Sequence, residues 1–153
     1  MSCNFAEGIK MTLTLNQADA IIDGALAFAE AESYDPLTIA VLDAGGHLVA
    51  FKRTDNSGIL RPEIAMGKAY GALGFGLDSR ELKDKNATFL NAIAAASHGK
   101  LVPVPGGVLI RDAKSQLIVG AMGVSGDNSW NDEKAAIAGI EGVGLAVSPA
   151  LKE

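Results

Sequence analysis

The chain carries one cysteine, Cys3, among its 153 residues. A lone cysteine excludes an internal disulfide and a cysteine metal cluster. Its place near the chain end reads as a terminal residue without a role rather than a reactive thiol. Aromatic residues make up only 5% against 48% hydrophobic residues, so the core must be built from small and aliphatic side chains. There is no run of basic residues, and the formal net charge is −5. Both argue against nucleic acid as a partner, because its phosphates need a basic face. No stretch nears the roughly 20 apolar residues of a membrane span. The first ten residues, MSCNFAEGIK, lack the basic start and apolar core of a secretion signal. A cytoplasmic protein without membrane contact is therefore expected. Histidine is limited to His47 and His98. Without clustered carboxylates they make a poor metal site, so no metal centre is expected.

The length suits one domain, 1–153, with 1–11 as a flexible N-terminus. Thr12–Glu32 reads as a helix: Thr14 and Gln17 form a capping-box pattern, and Ala18, Ile21, Ile22, Ala25 and Ala29 recur at helical spacing. Leu37–Asp43 and Leu48–Arg53 read as a strand pair joined by Ala44-Gly45-Gly46-His47. Pro62 suits the start of a helix whose Gly67, Gly71 and Gly74 make a smooth face. Core packing is the plainer use of that face; a partner subunit or a flat ligand is the other. Asp78 and Glu81 pattern as a capping pair, and Ala87–Ala96 as a further helix. Val108–Ile110 and Leu117–Val124 read as a second hairpin, entered through Pro105-Gly106-Gly107 and left through Ser125-Gly126. A last helix is expected from Trp130 to Val147, with Ser129 as its cap and Asp132 at its third position. Val104 and its neighbours are candidates for a fifth strand. The order predicts an α+β fold, a central antiparallel sheet of about five strands flanked by helices.

Few side chains stand out chemically. The amides after Ser125-Gly126 could hold a carboxylate or phosphate, unless Ser129 and Asp132 already satisfy them. Gly106 and Gly107 could present amides or let a ligand approach the backbone, or merely form a tight turn. Arg53 and Lys68 are the cations placed to meet an acidic ligand. Arg53 is the better candidate because its planar fork binds carboxylates at two points, whereas a surface salt bridge is the commoner use of any one cation. His98 and, less so, His47 are candidate bases or iron ligands. Met66, Tyr70 and Met122 could ligate or shield a haem, although methionine usually fills a core. No nucleophile–histidine–acid pattern is visible.

The stretches LTLNQADAIIDGAL, IAVLDAGGHLVAFKR, EIAMGKAYGAL, VPGGVLIRD, IVGAMGVSG and DEKAAIAG, from Leu13 to about Gly144, carry a resemblance. The chain resembles the GlcG/HbpS-like family of small haem-binding-type proteins, which includes the C-terminal domain of PduO-type proteins. The resemblance implies a profilin-like sheet, a homo-oligomer, and haem or a related tetrapyrrole as ligand. The family's recurrent positions fall here on Asp43, Arg53, Lys68, Gly106, Gly107, Ser125, Gly126 and Asp132. The first helix and both glycine loops lack histidine, so no axial haem ligand is obvious. Three readings follow. One is a small-molecule-binding protein, with an acidic ligand held by Arg53, Lys68, Gly106, Gly107, Ser125 and Gly126. The alternative is a cofactor-free isomerase, tautomerase or lyase acting on a small carboxylate or enolisable substrate. There Arg53 anchors the substrate, and Lys68, Glu63, His98 or Asp132 carries the proton. The third is a structural oligomer with no ligand.

Overall fold

Helix α1 spans Leu15–Ala31. Its start is set by the predicted capping box: the Gln17 amide donates to Thr14 Oγ1 at 3.1 Å, and the Thr14 amide to Gln17 Oε1 at 3.0 Å. The computed structural model describes residues 13–149. The expected flexible stretch 1–11, with Cys3, lies outside the described residues.

Strands β1 (Thr38–Asp43), β2 (Leu48–Arg53), β3 (Gly107–Arg111) and β4 (Ile118–Ser125) form one antiparallel sheet in the order β2-β1-β4-β3. Helix α2 (Arg61–Phe75) lies on one face, and α1 and α4 (Ser129–Gly142) pack together on the other. A short 3-10 turn, Ser79–Leu82, and helix α3 (Ala87–Ala96) link α2 to β3. The sheet sorts its side chains by alternation. Ile39, Val41, Met122 and Val124 join Ile21, Ile22 and Ile140 under α1 and α4. Leu42, Leu109 and Ala121 meet Ala69 and Ala72 of α2. The α+β class is as expected.

Three details differ from the sequence reading. The sheet has four strands, not about five. Pro103 and Pro105 remove two donors from the segment around Val104, and that segment is tied to helices instead. The Val102 amide donates to the Gly67 carbonyl, and the Val104 carbonyl accepts from Ser79 Oγ. Helix α4 ends at Gly142, not Val147. Gly144 turns the chain at φ +77°, and Ala146 then pairs with Arg111 as extended backbone. Val143, Leu145 and Val147 pack on the core at a spacing of two, the period of a strand. The cap of α4 is Asn128, whose Oδ1 accepts from the amides of Trp130 and Asn131, and not Ser129.

Helix α2 sits unusually close to the sheet. A Cβ at Gly123 would collide with the Ala65 carbonyl, and one at Gly107 with the Lys68 carbonyl. The smooth glycine face divides: Gly67 and Gly71 receive Val102 and Leu101, whereas Gly74 meets nothing. No described helix is long and apolar enough to cross a membrane.

Candidate functional site

Lys68 and Asp132 lie beneath α2, fully buried and paired at 2.9 Å. Lys68 Nζ also donates to the Val124 carbonyl at 2.8 Å, and Asp132 Oδ1 accepts the Asp127 amide at 3.0 Å. Burial pulls the ammonium below the usual lysine range, against the charge of Asp132. Burial likewise pushes the Asp132 carboxyl above its usual range, against the charge of Lys68. Gly106 lies beside them; a Cβ there would stand 2.8 Å from Lys68 Nζ. The Gly107 amide is already spent on Ser79 Oγ at 2.7 Å. A second buried acidic cluster adjoins this one. Arg80 reaches Asp78 at 3.4 Å and Glu133 at 3.6 Å, and burial raises both carboxyls. Glu133 Oε1 has no partner among the described residues.

At the end of the sheet, Thr38 pairs with Arg53 on one side and Ser125 on the other. Directly opposed residues share a face, so Arg53 and Ser125 both belong to the α2 side. Ser125 Oγ is buried and accepts from Arg61 Nη1 at 3.1 Å. Arg61 was missed in the sequence, where Pro62 drew attention as the helix start. Thr38 and Ser57 share a buried hydroxyl contact of 2.7 Å nearby. Gly126 packs on Pro36 and Leu37. Glu63 and His98 are exposed, on the first turn of α2 and just after α3. They do not join the Lys68–Asp132 pair. Among the described residues no three His, Cys, Asp or Glu side chains converge as metal ligands.

Open space lies elsewhere. A hollow of 510 Å³ between α1 and the β2 end carries Glu30, Asp35 and Asp55, the wrong charge for an acidic ligand. A groove of 280 Å³ runs between α2 and α3, over Gly71, Gly74, Phe75, Phe89, Ile93 and Leu101. Tyr70, Ser97 and Lys100 complete its walls, which contain no carboxylate. A second hollow of 170 Å³, floored by Ala44, Gly45 and Gly46, shares Tyr70 and Gly74 with it. Lys100 Nζ lies 5.0 Å from the Tyr70 ring centre. Together the two reach the lower end of the roughly 300–1,000 Å³ typical of ligand sites. His47 stands on the same β1–β2 turn, its ring tied to Asp43 at 3.2 Å.

A family model described as haem degrading protein HbpS-like matches residues 13–141. The chain belongs to the HbpS-like family. It is similar in fold to a PduOC–heme complex, with a TM-score of 0.80 at 21% identity, over 90% of this chain and 99% of that one. It is similar to HbpS at 27% identity and a TM-score of 0.70, over 91% of this chain and 96% of that one. A double mutant of Streptomyces reticuli HbpS matches at 26% identity and a TM-score of 0.71, over 92% and 94%. No protein of curated function matches significantly. Within this HbpS-like chain, Lys68, Gly106, Gly107 and Asp132 gather under α2 and Arg53 and Ser125 at the sheet end, while Asp43 holds the β1–β2 turn.

Proposed function

We propose that this HbpS-like chain is a small-molecule-binding protein that takes haem or a related tetrapyrrole. The observation that carries the reading is the apolar groove beside α2, walled by aromatic and aliphatic side chains and free of carboxylates, with Lys100 at its edge. A tetrapyrrole is a flat apolar ring with acidic side groups. The groove fits those two parts: Gly74, Phe75 and Leu101 would cover the ring, and Lys100 and Ser97 would meet a propionate. Bound haem supplies an iron that can hold or activate a diatomic ligand. The family model and the haem-bound structural neighbour support the same reading. The buried Lys68–Asp132 pair serves this site indirectly, by locking the inner side of α2 to β4.

The chain also works as a homo-oligomer in this reading. Leu48 and Phe51 lie on the α2 side of β2, opposite Leu42 and Ala40, and stay 51% and 38% exposed. Ile59 and Leu60, before α2, are 84% and 68% exposed. Such exposed apolar side chains suit a subunit contact.

Titration with haemin tests the reading. The protein should give a sharpened Soret band that saturates at a fixed ratio. Lys100→Glu should weaken binding about tenfold or more, because it removes a cation and adds a repelling charge. A featureless titration of the unaltered protein would overturn haem binding. An unchanged Lys100→Glu would overturn the groove as its place.

A further inference from the structure

We propose that the groove between α2 and α3 recognises a tetrapyrrole by its ring and its acid side groups alone, and so binds the metal-free macrocycle as tightly as haem. This rests on the tetrapyrrole-binding reading above. The donor set decides the point. Haem iron is held in proteins chiefly by His, Cys, Met or Tyr side chains. Of these only Tyr70 lines the groove or the hollow that adjoins it. A tyrosine ligates iron through its deprotonated oxygen, and neither lining contains a histidine or a carboxylate to take the phenol proton. The other donors stand outside. His47 is held by Asp43 and lines neither space, nor do His98 and Met66. Met122 is fully buried on the opposite face of the sheet. Cys3 lies outside the described residues.

What the groove offers instead does not depend on a metal. Phe75 and Phe89 meet edge to face, with ring centres 6.3 Å apart, and Phe89 stays 51% exposed. Between α2 and α3 the helix surface is bare at Gly74, where a Cβ would meet nothing within 4 Å. A flat ring can therefore rest against the helix at that point. Lys100 Nζ stands over the Tyr70 ring, 5.0 Å from its centre. Beside the groove, Lys85 Nζ stands 5.7 Å from the centre of the Phe75 ring. Both lysines are exposed, so a carboxylate reaches them without displacing a buried group. Two cations beside an apolar wall without carboxylates suit a flat ligand with two acid side groups.

Ring faces and carboxylates are the same in haem and in its metal-free parent, so these contacts do not tell the two apart. A bond from the protein to iron would. The outer-shell partners of a metal ligand by themselves change affinity by about 10–100-fold, so a true iron ligand would separate the two macrocycles by at least that much.

The full chain is titrated with haemin, protoporphyrin IX and protoporphyrin IX dimethyl ester, followed by absorption and porphyrin fluorescence. Haemin and protoporphyrin IX should bind with dissociation constants within about threefold of each other. The diester keeps the ring and loses both charges, and should bind at least about tenfold more weakly. Gly74→Leu fills the bare floor at a helical position where leucine is favoured over glycine, so the fold is kept while both acids bind at least about tenfold more weakly. The electron paramagnetic resonance spectrum of bound haemin should be the same in Tyr70→Phe as in the unaltered protein. Haemin binding more than about tenfold tighter than protoporphyrin IX, or an iron spectrum altered by Tyr70→Phe, would overturn the inference and leave the binding reading standing. A diester bound as tightly as the diacid would overturn the part given to the acid groups, and unchanged affinities in Gly74→Leu would overturn the groove as the place. If none of the three macrocycles gives a saturable change, the tetrapyrrole reading itself fails and the inference with it.

Discussion

Burying an ammonium costs several kcal/mol unless a counter-charge and hydrogen bonds offset it, and Lys68 has both. The pair is tight because α2 rests backbone to backbone on β3 and β4, where Gly107 and Gly123 leave no side chain in the way. Removing one partner leaves the other charge buried and unmatched. Lys68→Ala is therefore expected to lower stability by about 3–5 kcal/mol in urea unfolding. Lys68→Met combined with Asp132→Leu should recover much of that loss. A double variant no more stable than Lys68→Ala would mean that the pair is not a self-contained unit. In the sequence, Lys68 and Asp132 stood out separately, Lys68 as a cation for an acidic ligand and Asp132 at the third position of the last helix, and each as a candidate proton carrier. Lys68 interrupts the buried residues Ala65, Gly67, Ala69 and Ala72, so its burial followed from its helical position. The identity of its partner did not.

At the scale of elements, the connections between helices and strands are held by carboxylates. Asp127, in the turn from β4 to α4, accepts the Asp35 amide at 2.8 Å and so ties the α1–β1 connection to the β4–α4 turn at the same end of the sheet. That amide, ahead of any other cause, holds the Asp127 carboxyl below the usual carboxylate range. A carboxyl with a lowered folded value contributes stability above its unfolded value, and the contribution is lost as pH falls through the folded one. Asp78, Asp132 and Glu133 are shifted the other way by burial. Their contribution is present below the ordinary carboxylate range and is lost as pH rises through their raised values. Asp127→Asn is thus expected to lower stability at neutral pH and to flatten the loss of stability between about pH 5 and 2, as measured by urea midpoints across that range. An unchanged acid limb would remove the Asp127 tie from the account. Element ends were legible where a local cap decided them, as at Thr14 and Asp78. They were misread where tertiary pairing decided them. Val143, Leu145 and Val147 fit the extended segment that returns to Arg111 as well as they fit a helix, and only that contact settles it.

For the molecule as a whole, the uneven cover of the sheet is the main consequence. Helix α2 lies over β1, β3 and β4 but leaves the same face of β2 open, with Leu48 and Phe51 showing. The chain is expected to sediment as a homo-oligomer. Phe51→Glu, at a position 38% exposed, should shift it to a smaller species while leaving its helical circular dichroism unchanged. A monomeric unaltered protein would remove the subunit contact, and an unshifted Phe51→Glu would move it elsewhere. The sequence by itself determined the element types, both hairpins and the α+β class. Those depend on spacings of two and 3.6, on turn glycines and on caps, all of which act over a few residues. Only the tertiary structure decided that Lys68 meets Asp132 and that Arg61 meets Ser125, each 64 positions apart in the chain. It alone brought the Gly45-Gly46 turn to Tyr70 and Gly74 and so opened a groove outside both glycine loops. Contacts between distant residues depend on which face of each element is buried and on the register of the strands between them, and neither is a local property.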